Sequence, residues 1–181
     1  MTTAVAPSLG WATVPTEDGP FTAIFDDDHT VYASGWTHSL EYLESLIHPD
    51  LRTTDLFEKP GGPVTEAVLQ YYDGHTTAPS HIQVRQQAGP FITDAWVALR
   101  KVRAGTPVTY RQLAELAGRP TAVRGAAQCC VRNAAALFVP CHRVMRTDGS
   151  LGGYRYGLEL KEDLLRREAE SLAAARDKHG F

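Results

Sequence analysis

The sequence predicts a small α/β domain over residues 1–86, followed by an all-α domain over residues 87–181. Before Gly89, short apolar runs bounded by turn residues alternate with segments of helical periodicity. After Gly89, apolar residues recur only at helical spacing. With 181 residues, of which 43% are hydrophobic and 22% charged, the chain is long enough to bury one ordinary core or two small ones.

Patterns in the N-terminal half predict a hairpin, two helices and a further strand. Two apolar runs flank an acidic turn, which is typical of a β-hairpin. Leucines at helical spacing predict one helix, and a Pro/Gly break opens a second helix that ends at Gly74. The predicted elements are strands over 21–25, 30–36 and 81–85 and helices over 40–47 and 64–73.

The C-terminal half is predicted to be helical throughout. Pro90 begins a helix with a continuous apolar stripe. Thr109 and Gln112 form a capping box for a helix that ends before Gly118, and another helix is expected over 122–132. Two short helices joined by a Gly-containing turn are typical of a helix-turn-helix, although a generic helical hairpin has the same pattern. A last amphipathic helix follows.

Charge is divided unevenly between the two halves. The net charge of −3 conceals two basic against twelve acidic residues in 1–84 and sixteen basic against nine acidic residues in 85–181. Ten basic side chains lie between 100 and 155, opposed only by Glu115 and Asp148. The halves could simply attract each other, but an arginine-rich stretch of this density favours contact with phosphates. The charge pattern therefore predicts a nucleic-acid partner.

Several classes of protein are disfavoured by composition. No apolar run approaches the roughly 20 residues of a membrane span, and the N-terminus lacks a basic start and an apolar core. The three cysteines lie between 129 and 141 without a Cys-x-x-Cys pair, and the N-terminal histidines show no ligand spacing. We therefore expect no disulfide framework, no metal, no cofactor and no membrane, and a cytoplasmic location.

The segment Val139-Pro140-Cys141-His142-Arg143-Val144 is the most informative one for chemistry. A thiol beside an imidazole and a guanidinium favours a lowered thiol pKa and a reactive thiolate. Pro140 restricts the residue before it, so the cysteine emerges from stiff backbone. Neighbouring side chains in a strand point to opposite faces, so a direct Cys–His pair requires a turn or a bridging water. The dipeptide alone leaves a buried, inert cysteine as the commoner alternative.

Matches on both sides of this segment extend the pattern. Upstream are Pro107-Val108-Thr109-Tyr110, Leu113-Ala114, Ala117-Gly118, Arg124 and Asn133, and downstream are Asp148-Gly149, Gly152, Tyr154, Gly157 and Glu168. With Pro-Cys-His-Arg-Val at 140–144, the region of about residues 89–170 resembles the O6-alkylguanine-DNA alkyltransferases, also called methylated-DNA–protein-cysteine methyltransferases. The resemblance implies a ribonuclease H-like N-terminal domain and a winged helix-turn-helix-like C-terminal domain.

The resemblance also implies an activity. Methyl and other alkyl groups would pass from O6 of guanine, and also from O4 of thymine, to the protein's own cysteine, once and irreversibly. Cys141 resembles the acceptor, His142 the base that takes the thiol proton through a water, and Glu168 the group that orients its ring. Tyr110 resembles the phenol that donates to the guanine, and Asn133 the hinge residue beside the active-site turn.

The implied partner is double-stranded DNA that contains O6-alkylguanine, bound by a monomer with no obligate protein partner. The target nucleotide must leave the stack, and Arg124 resembles the arginine that takes its place. Small residues would let the second helix approach the minor groove closely. The predicted DNA-binding set is Arg124, Ala122, Val123, Gly125, Ala126, Ala127, Thr109 and Arg132. The predicted substrate pocket consists of Val144, Tyr154, Arg155, Tyr156 and Arg143.

Two departures and two alternatives accompany the resemblance. Ala134 stands where the family usually has a proline, which would loosen the turn, and Cys129 and Cys130 fit a small-apolar role better than a redox one. One alternative is a non-enzymatic sensor of alkyl damage, but such proteins replace the cysteine that is kept here at 141. The other alternative is a helix-turn-helix regulator, but Ala, Gly and Val dominate its would-be reading helix.

Overall fold

A computed structural model describes residues 7–179, and its N-terminal half is built on a four-stranded mixed sheet. The strands are β1 (Leu9–Thr16), β2 (Gly19–Phe25), β3 (Val31–Gly35) and β4 (Leu56–Glu58), in the order β3-β2-β1-β4. Neighbouring strands from β1 to β3 are antiparallel, whereas β4 runs parallel to β1. The predicted hairpin is confirmed as β2 and β3.

Side chains of β2 point alternately to the two faces of the sheet. Phe21 and Phe25 enter the larger apolar cluster on one face, and Ile24 enters a smaller cluster on the other. Helix α1 (Leu40–Leu46) packs on the smaller cluster, where Ser39 caps its first turn, and α2 (Pro63–Tyr72) packs on the larger one. The sheet is therefore covered on both sides.

Helices dominate the C-terminal half. They are α3 (Pro90–Leu99), α4 (Tyr110–Leu116), α5 (Val123–Val131) and α6 (Leu158–Lys178). The capping box is confirmed, since the Thr109 hydroxyl accepts from the Gln112 backbone and the Gln112 side chain accepts from the Thr109 backbone. None of the helices within residues 7–179 is long and apolar enough to cross a membrane.

The sequence missed several short pairings. Strands β1 and β4 were not predicted, and the strand expected over 81–85 forms only an isolated bridge between Val84 and Val31. The prediction that only helices follow Gly89 is wrong, because β5 (Val108–Thr109) pairs in parallel with β6 (Val144–Met145). This small pairing joins the start of α4 to the segment that follows Cys141.

A single large core unites the two halves of the chain. It includes Phe21 and Val68 from the N-terminal half together with Leu99, Leu113 and Leu164 from the C-terminal half, all nearly inaccessible to solvent. Because this core is shared by both halves, it holds the N-terminal sheet against α3, α4 and α6.

The small residues of α5 do not all face outward. Ala126 is completely buried in the core, and a Cβ at Gly125 would lie 2.6 Å from Cε1 of Phe91. The prediction that Ala126 lines the DNA-facing side is therefore wrong, because its side chain faces the core. Gly125 is small enough for α5 to pack against Phe91 of α3, but it is still partly accessible, so its place on the DNA-facing side stays a prediction. Ala122, Val123 and Ala127 remain partly accessible.

Gly125→Ala should destabilise the protein even though alanine is the better helix former by about 1 kcal/mol. The added methyl would overlap the Phe91 ring, and such overpacking typically costs about 1–3 kcal/mol. Chemical denaturation measures the free energy of unfolding. In a Phe91→Ala background the same substitution should become neutral or stabilising, and equal effects in both backgrounds would contradict the packing contact.

Candidate active site

Cys141 lies in a tight turn and not in a strand. Its backbone N–H donates to the Val139 carbonyl across 2.8 Å, and Pro140 has φ −82° and ψ 65°, which is an inverse γ-turn. One turn of 3₁₀ helix over Cys141–Arg143 follows. Because the chain turns here, the Cys141 side chain lies at the cavity and the His142 side chain points toward Glu168. The alternation of a β-strand is not needed for this.

The thiol-bearing residue lines a cavity of about 300 Å³, a volume at the lower end of small-molecule pockets. Cys141 is 9% exposed, so the cavity is its route to solvent. The walls come from the start of α4, the end of α5, the segment after α5 and the loop before α6. Side chains that meet there include Tyr110, Cys130, Asn133, Tyr154, Arg155 and Tyr156.

Two predicted pocket residues lie elsewhere. Val144 is fully buried in β6, where its carbonyl accepts from Lys161 Nζ across 2.7 Å. Arg143 turns toward Glu168, and its Nη1 donates to the Val102 carbonyl across 2.8 Å. The side chains of these two residues do not line the cavity. Contact of the substrate with the backbone carbonyl of Val144 stays a prediction.

Three phenols surround the cavity. Burial raises the pKa of Tyr110, Tyr154 and Tyr156, so each stays protonated at neutral pH and can donate a hydrogen bond. The Tyr156 hydroxyl donates to the Ser34 carbonyl of β3 across 3.3 Å. Within residues 7–179, the buried hydroxyl of Tyr154 has no hydrogen-bond partner.

The Cys141 thiol is protonated at rest. Burial, with Cys130 nearby, raises its pKa to about 12, and the opposing effects of Asn133, Lys161 and Arg155 are smaller. The pKa of the thiol is therefore raised and not lowered as expected: burial outweighs the nearby positive charges, and the neighbouring guanidinium of Arg143 is engaged with Glu168. The site therefore needs a base to remove the thiol proton when it reacts.

A buried triad lies beside the thiol turn. His142 Nε2 lies 2.7 Å from Glu168 Oε1, and Arg143 Nε donates to the same oxygen across 2.6 Å. Burial alone would raise the pKa of Glu168, but His142 and Arg143 lower it to about 2. The carboxylate is thus ionised. No cluster of three or more His, Cys, Asp or Glu able to hold a metal is found within residues 7–179.

The tautomer of His142 follows from this arrangement. Burial lowers its pKa, with Glu168 opposing, so the ring is neutral at neutral pH. Because an ionised carboxylate only accepts, the ring hydrogen is on Nε2 and the lone pair is on Nδ1. Nδ1 is buried and has no partner among the described residues. His142 therefore offers an unused basic nitrogen at the thiol turn.

Asn133 connects the end of α5 to the sulfur. Its Nδ2 donates to the Val139 carbonyl across 2.8 Å and lies 3.4 Å from Cys141 Sγ. Its Oδ1 accepts from the Ala135 backbone across 3.0 Å and from Gln86 Nε2 across 2.9 Å. The amide is 3% exposed and fully hydrogen-bonded, which fixes its orientation beside the thiol.

The sequence did not indicate Lys161, whose side chain is completely buried. Its Nζ donates to the carbonyls of Val144, Leu151 and Gly153, which ties the segment after Cys141 to the loop that carries Tyr154. A signal was available: Lys161 and Glu168 lie seven residues apart, which places both on one face of a helix. Gln86 and Ser34 were also missed, because their contacts are remote in sequence.

The exposed face of α5 carries Arg124 and Gln128 and continues to Arg132. These residues are solvent-accessible, as are parts of Ala122, Val123 and Ala127. The Thr109 side chain is used for capping α4. The structure thus places the predicted residues Cys141, Tyr110 and Asn133 on the wall of one cavity. His142 and Glu168 lie buried behind the thiol turn, and Arg124 lies on the outer surface of the adjoining helix.

Glu168→Gln should lower the free energy of unfolding by about 3–5 kcal/mol at neutral pH, because Arg143 loses its buried counter-charge. A carboxyl with a depressed pKa stabilises the fold above its ordinary value of 4.5, and this contribution is lost as pH falls toward 2. Denaturation curves should therefore show the difference from the native protein shrinking across that interval. Glu170→Gln, on the exposed side of the same helix, should show no such difference, and a pH-independent gap would refute the ionised triad.

Comparison with known proteins places this geometry in a family. Residues 90–170 match the family model described as 6-O-methylguanine DNA methyltransferase, DNA binding domain. Among solved structures, Mycobacterium tuberculosis OGT in complex with DNA has a TM-score of 0.73 at 23% identity, with 90% of this chain and 94% of that chain covered. This likeness shows a shared fold.

Curated relatives are similar in sequence. The bifunctional transcriptional activator/DNA repair enzyme Ada of Escherichia coli is 51% identical over 105 residues, which are 58% of this chain and 28% of that protein. The chain thus spans about a quarter of the length of the Ada proteins it matches. The methylated-DNA–protein-cysteine methyltransferase of Salmonella typhimurium is 31% identical over 164 residues, covering 88% of this chain and 95% of that one. The chain therefore belongs to the methylated-DNA–protein-cysteine methyltransferase family.

Proposed function

We propose that this protein repairs DNA by moving methyl and other alkyl groups from O6 of guanine, and from O4 of thymine, to Cys141. The observation that carries this proposal is the placement of one nucleophile in a cavity with a neutral histidine and an ionised glutamate beside it. The named relatives support it, since one of them is a methylated-DNA–protein-cysteine methyltransferase over nearly its full length.

The reaction is an in-line displacement at the alkyl carbon. The thiol proton leaves Cys141 through a water to Nδ1 of His142, while Glu168 holds the Nε2 hydrogen and orients the ring. The sulfur forms a bond to the alkyl carbon, and the carbon–O6 bond breaks with its electron pair staying on the guanine. Tyr110 donates a hydrogen bond to the guanine as negative charge develops there. The positive charge of the proton held by His142 balances the negative charge left on the guanine.

The protonated resting state of the Cys141 thiol is compatible with a nucleophile that reacts only once. At the raised pKa of Cys141 almost no thiolate is present at neutral pH, so reaction is coupled to a bound substrate and to His142. The product is a thioether, which has no easy leaving group. Each chain is therefore consumed by one transfer.

DNA is engaged through α5 and the basic C-terminal half. An O6 atom inside a duplex cannot reach the cavity, so the nucleotide is flipped out, and Arg124 on the exposed face of α5 fills the space it leaves. Ala122, Val123 and Ala127 meet the minor groove, and Arg132 at the end of the helix meets a phosphate. Double-stranded DNA that contains O6-alkylguanine is the proposed partner.

The finer architecture is part of the same proposal. We infer that residues 1–86 form a ribonuclease H-like domain and residues 87–181 a winged helix-turn-helix domain, packed on the common core. The close packing of α4 with α5 and the short β5–β6 pairing favour this arrangement over a generic helical hairpin. We propose further that the protein acts as a cytoplasmic monomer and uses no cofactor.

Incubation with a duplex carrying O6-methylguanine should add one methyl group per chain, located on the peptide that contains Cys141. Intact-protein and peptide mass spectrometry measure the transfer. Cys141→Ser should bind the duplex without accepting the group, whereas Cys130→Ser, a change at the other cysteine of the cavity wall, should still accept it. Binding without transfer by the native protein would indicate a damage sensor, and turnover beyond one equivalent would contradict the mechanism.

Arg124→Ala should slow repair of duplex substrate even at saturating DNA, because the flipped-out state loses its replacement in the stack. Reaction with the free base O6-benzylguanine, where the cavity admits it, should be unchanged because no duplex is opened. Single-turnover rates on both substrates separate the two effects. Arg132→Ala is the matched control: it should weaken duplex affinity but react at the native rate once saturated. Equal losses on both substrates for Arg124→Ala would make its role structural.

A further inference from the structure

The alkyl transfer proposed above depends on how the Asn133 amide is presented to the Cys141 sulfur. We propose that Gln86 is a positioning residue for this reaction, because its side-chain amide determines which way round the Asn133 amide faces the sulfur. The inference rests on the proposed function and extends it to a residue of the N-terminal half that does not line the cavity.

The free edge of β3 brings the two amides together. Near its start, the Val31 N–H donates to the Gln83 carbonyl across 2.8 Å, and the Arg85 N–H donates back to Val31 across 2.9 Å. Near its end, the Ser34 N–H donates to the Ala134 carbonyl across 2.9 Å. These attachments are about 10 Å apart along the strand, since each residue adds about 3.3 Å. Gln86 therefore follows one attached segment, and Asn133 precedes the other.

Gln86 bridges the gap with both ends of its amide. Its Nε2 donates to Asn133 Oδ1 across 2.9 Å, and its Oε1 accepts from the Ala134 N–H across 2.8 Å. Because the Ala134 N–H can only donate, it fixes the oxygen end of the Gln86 amide. The nitrogen end is then the one that faces Asn133.

The orientation of the Gln86 amide determines the orientation of the Asn133 amide, and with it which atom of Asn133 faces the sulfur. Asn133 Oδ1 receives the Gln86 donor and the Ala135 N–H, so its Nδ2 faces the Val139 carbonyl and Cys141 Sγ. An N–H aimed at sulfur favours the thiolate, whereas a flipped amide would aim a carbonyl oxygen at it. Loss of the Gln86 donor removes one of the three hydrogen bonds that disfavour the flip, the others being those to Ala135 and Val139. Thiolate formation should then become harder at any given pH.

Other titratable groups face Cys141, and none of them contacts Gln86 in the described hydrogen-bond network. They come from its own turn, from α4, α5 and α6, and from the loop before α6. These groups are His142, Tyr110, Cys130, Lys161, Tyr154, Tyr156 and Arg155. A change in the pH dependence of Cys141 on altering Gln86 is thus attributable to the Asn133 amide.

The test is Gln86→Met, which keeps the length of the side chain and removes both hydrogen bonds. Two readouts are measured against pH: alkylation of Cys141 by iodoacetamide, followed by peptide mass spectrometry, and the single-turnover transfer from an O6-methylguanine duplex. Both profiles should move up by about one pH unit, which is about a tenfold loss of rate at a fixed pH below the thiol pKa. Gln86→Glu, which accepts from Ala134 but cannot donate to Asn133, should also slow both reactions.

Gln87→Met is the matched control, because that neighbouring glutamine is exposed and donates to Asp50 instead. It should leave both profiles unchanged. In an Asn133→Ala background, Gln86→Met should add no further shift, because its effect passes through Asn133. A native pH profile for Gln86→Met, or a full additional shift in that background, overturns the positioning role. A native protein that alkylates with iodoacetamide but takes no methyl from DNA overturns the proposed function instead, and the iodoacetamide profiles still decide the role of Gln86.

Discussion

The ionised carboxylate of Glu168, with no access to solvent, is the constraint on which the acceptor site depends. A buried charge without partners would be very costly, so the fold must supply donors on all sides of it. Two consecutive residues do this: His142 and Arg143 both point at the same carboxylate from one turn of 3₁₀ helix. That requirement holds the turn against α6 and thereby sets where Cys141, one residue earlier, must emerge.

Burial also governs the chemical character of the nucleophile. An exposed thiolate would react with any electrophile in its surroundings, whereas the Cys141 thiol is kept protonated by its low-dielectric position. Cys130 shares the cavity and is held protonated as well, chiefly by its contact with Cys129 and by burial. The thiol at rest is therefore uncharged, unlike the permanently activated cysteine that a neighbouring guanidinium suggests.

Local signals in the sequence were sufficient for the hairpin and the capping box, because each is defined within a few residues. Strand β1 escaped detection because Pro15 and two threonines, Thr13 and Thr16, obscure its alternation. The two faces of α5 could not be distinguished, since small residues suit close packing inside as well as close approach outside; Ala126 turned out to be buried. The raised pKa of the thiol and the contacts of Gln86 depend on burial and on strand-edge positions, which no local pattern encodes. Only the structure explains why alanine stands at position 134. Its N–H donates to Gln86, and a proline would lack that N–H.

The wall of the cavity contains a residue whose place depends on the N-terminal sheet. Tyr156 reaches the Ser34 carbonyl because Gly35 has no side chain, and a Cβ at that position would overlap the phenol ring. Trp36 then packs edge-on against Tyr156 at 5.5 Å between ring centroids. Positions 35 and 156 are therefore expected to change together among descendants of this chain: a larger residue at 35 is compatible only with a smaller one at 156. Drift in a β-strand of the N-terminal half would in this way reshape the cavity beside Cys141.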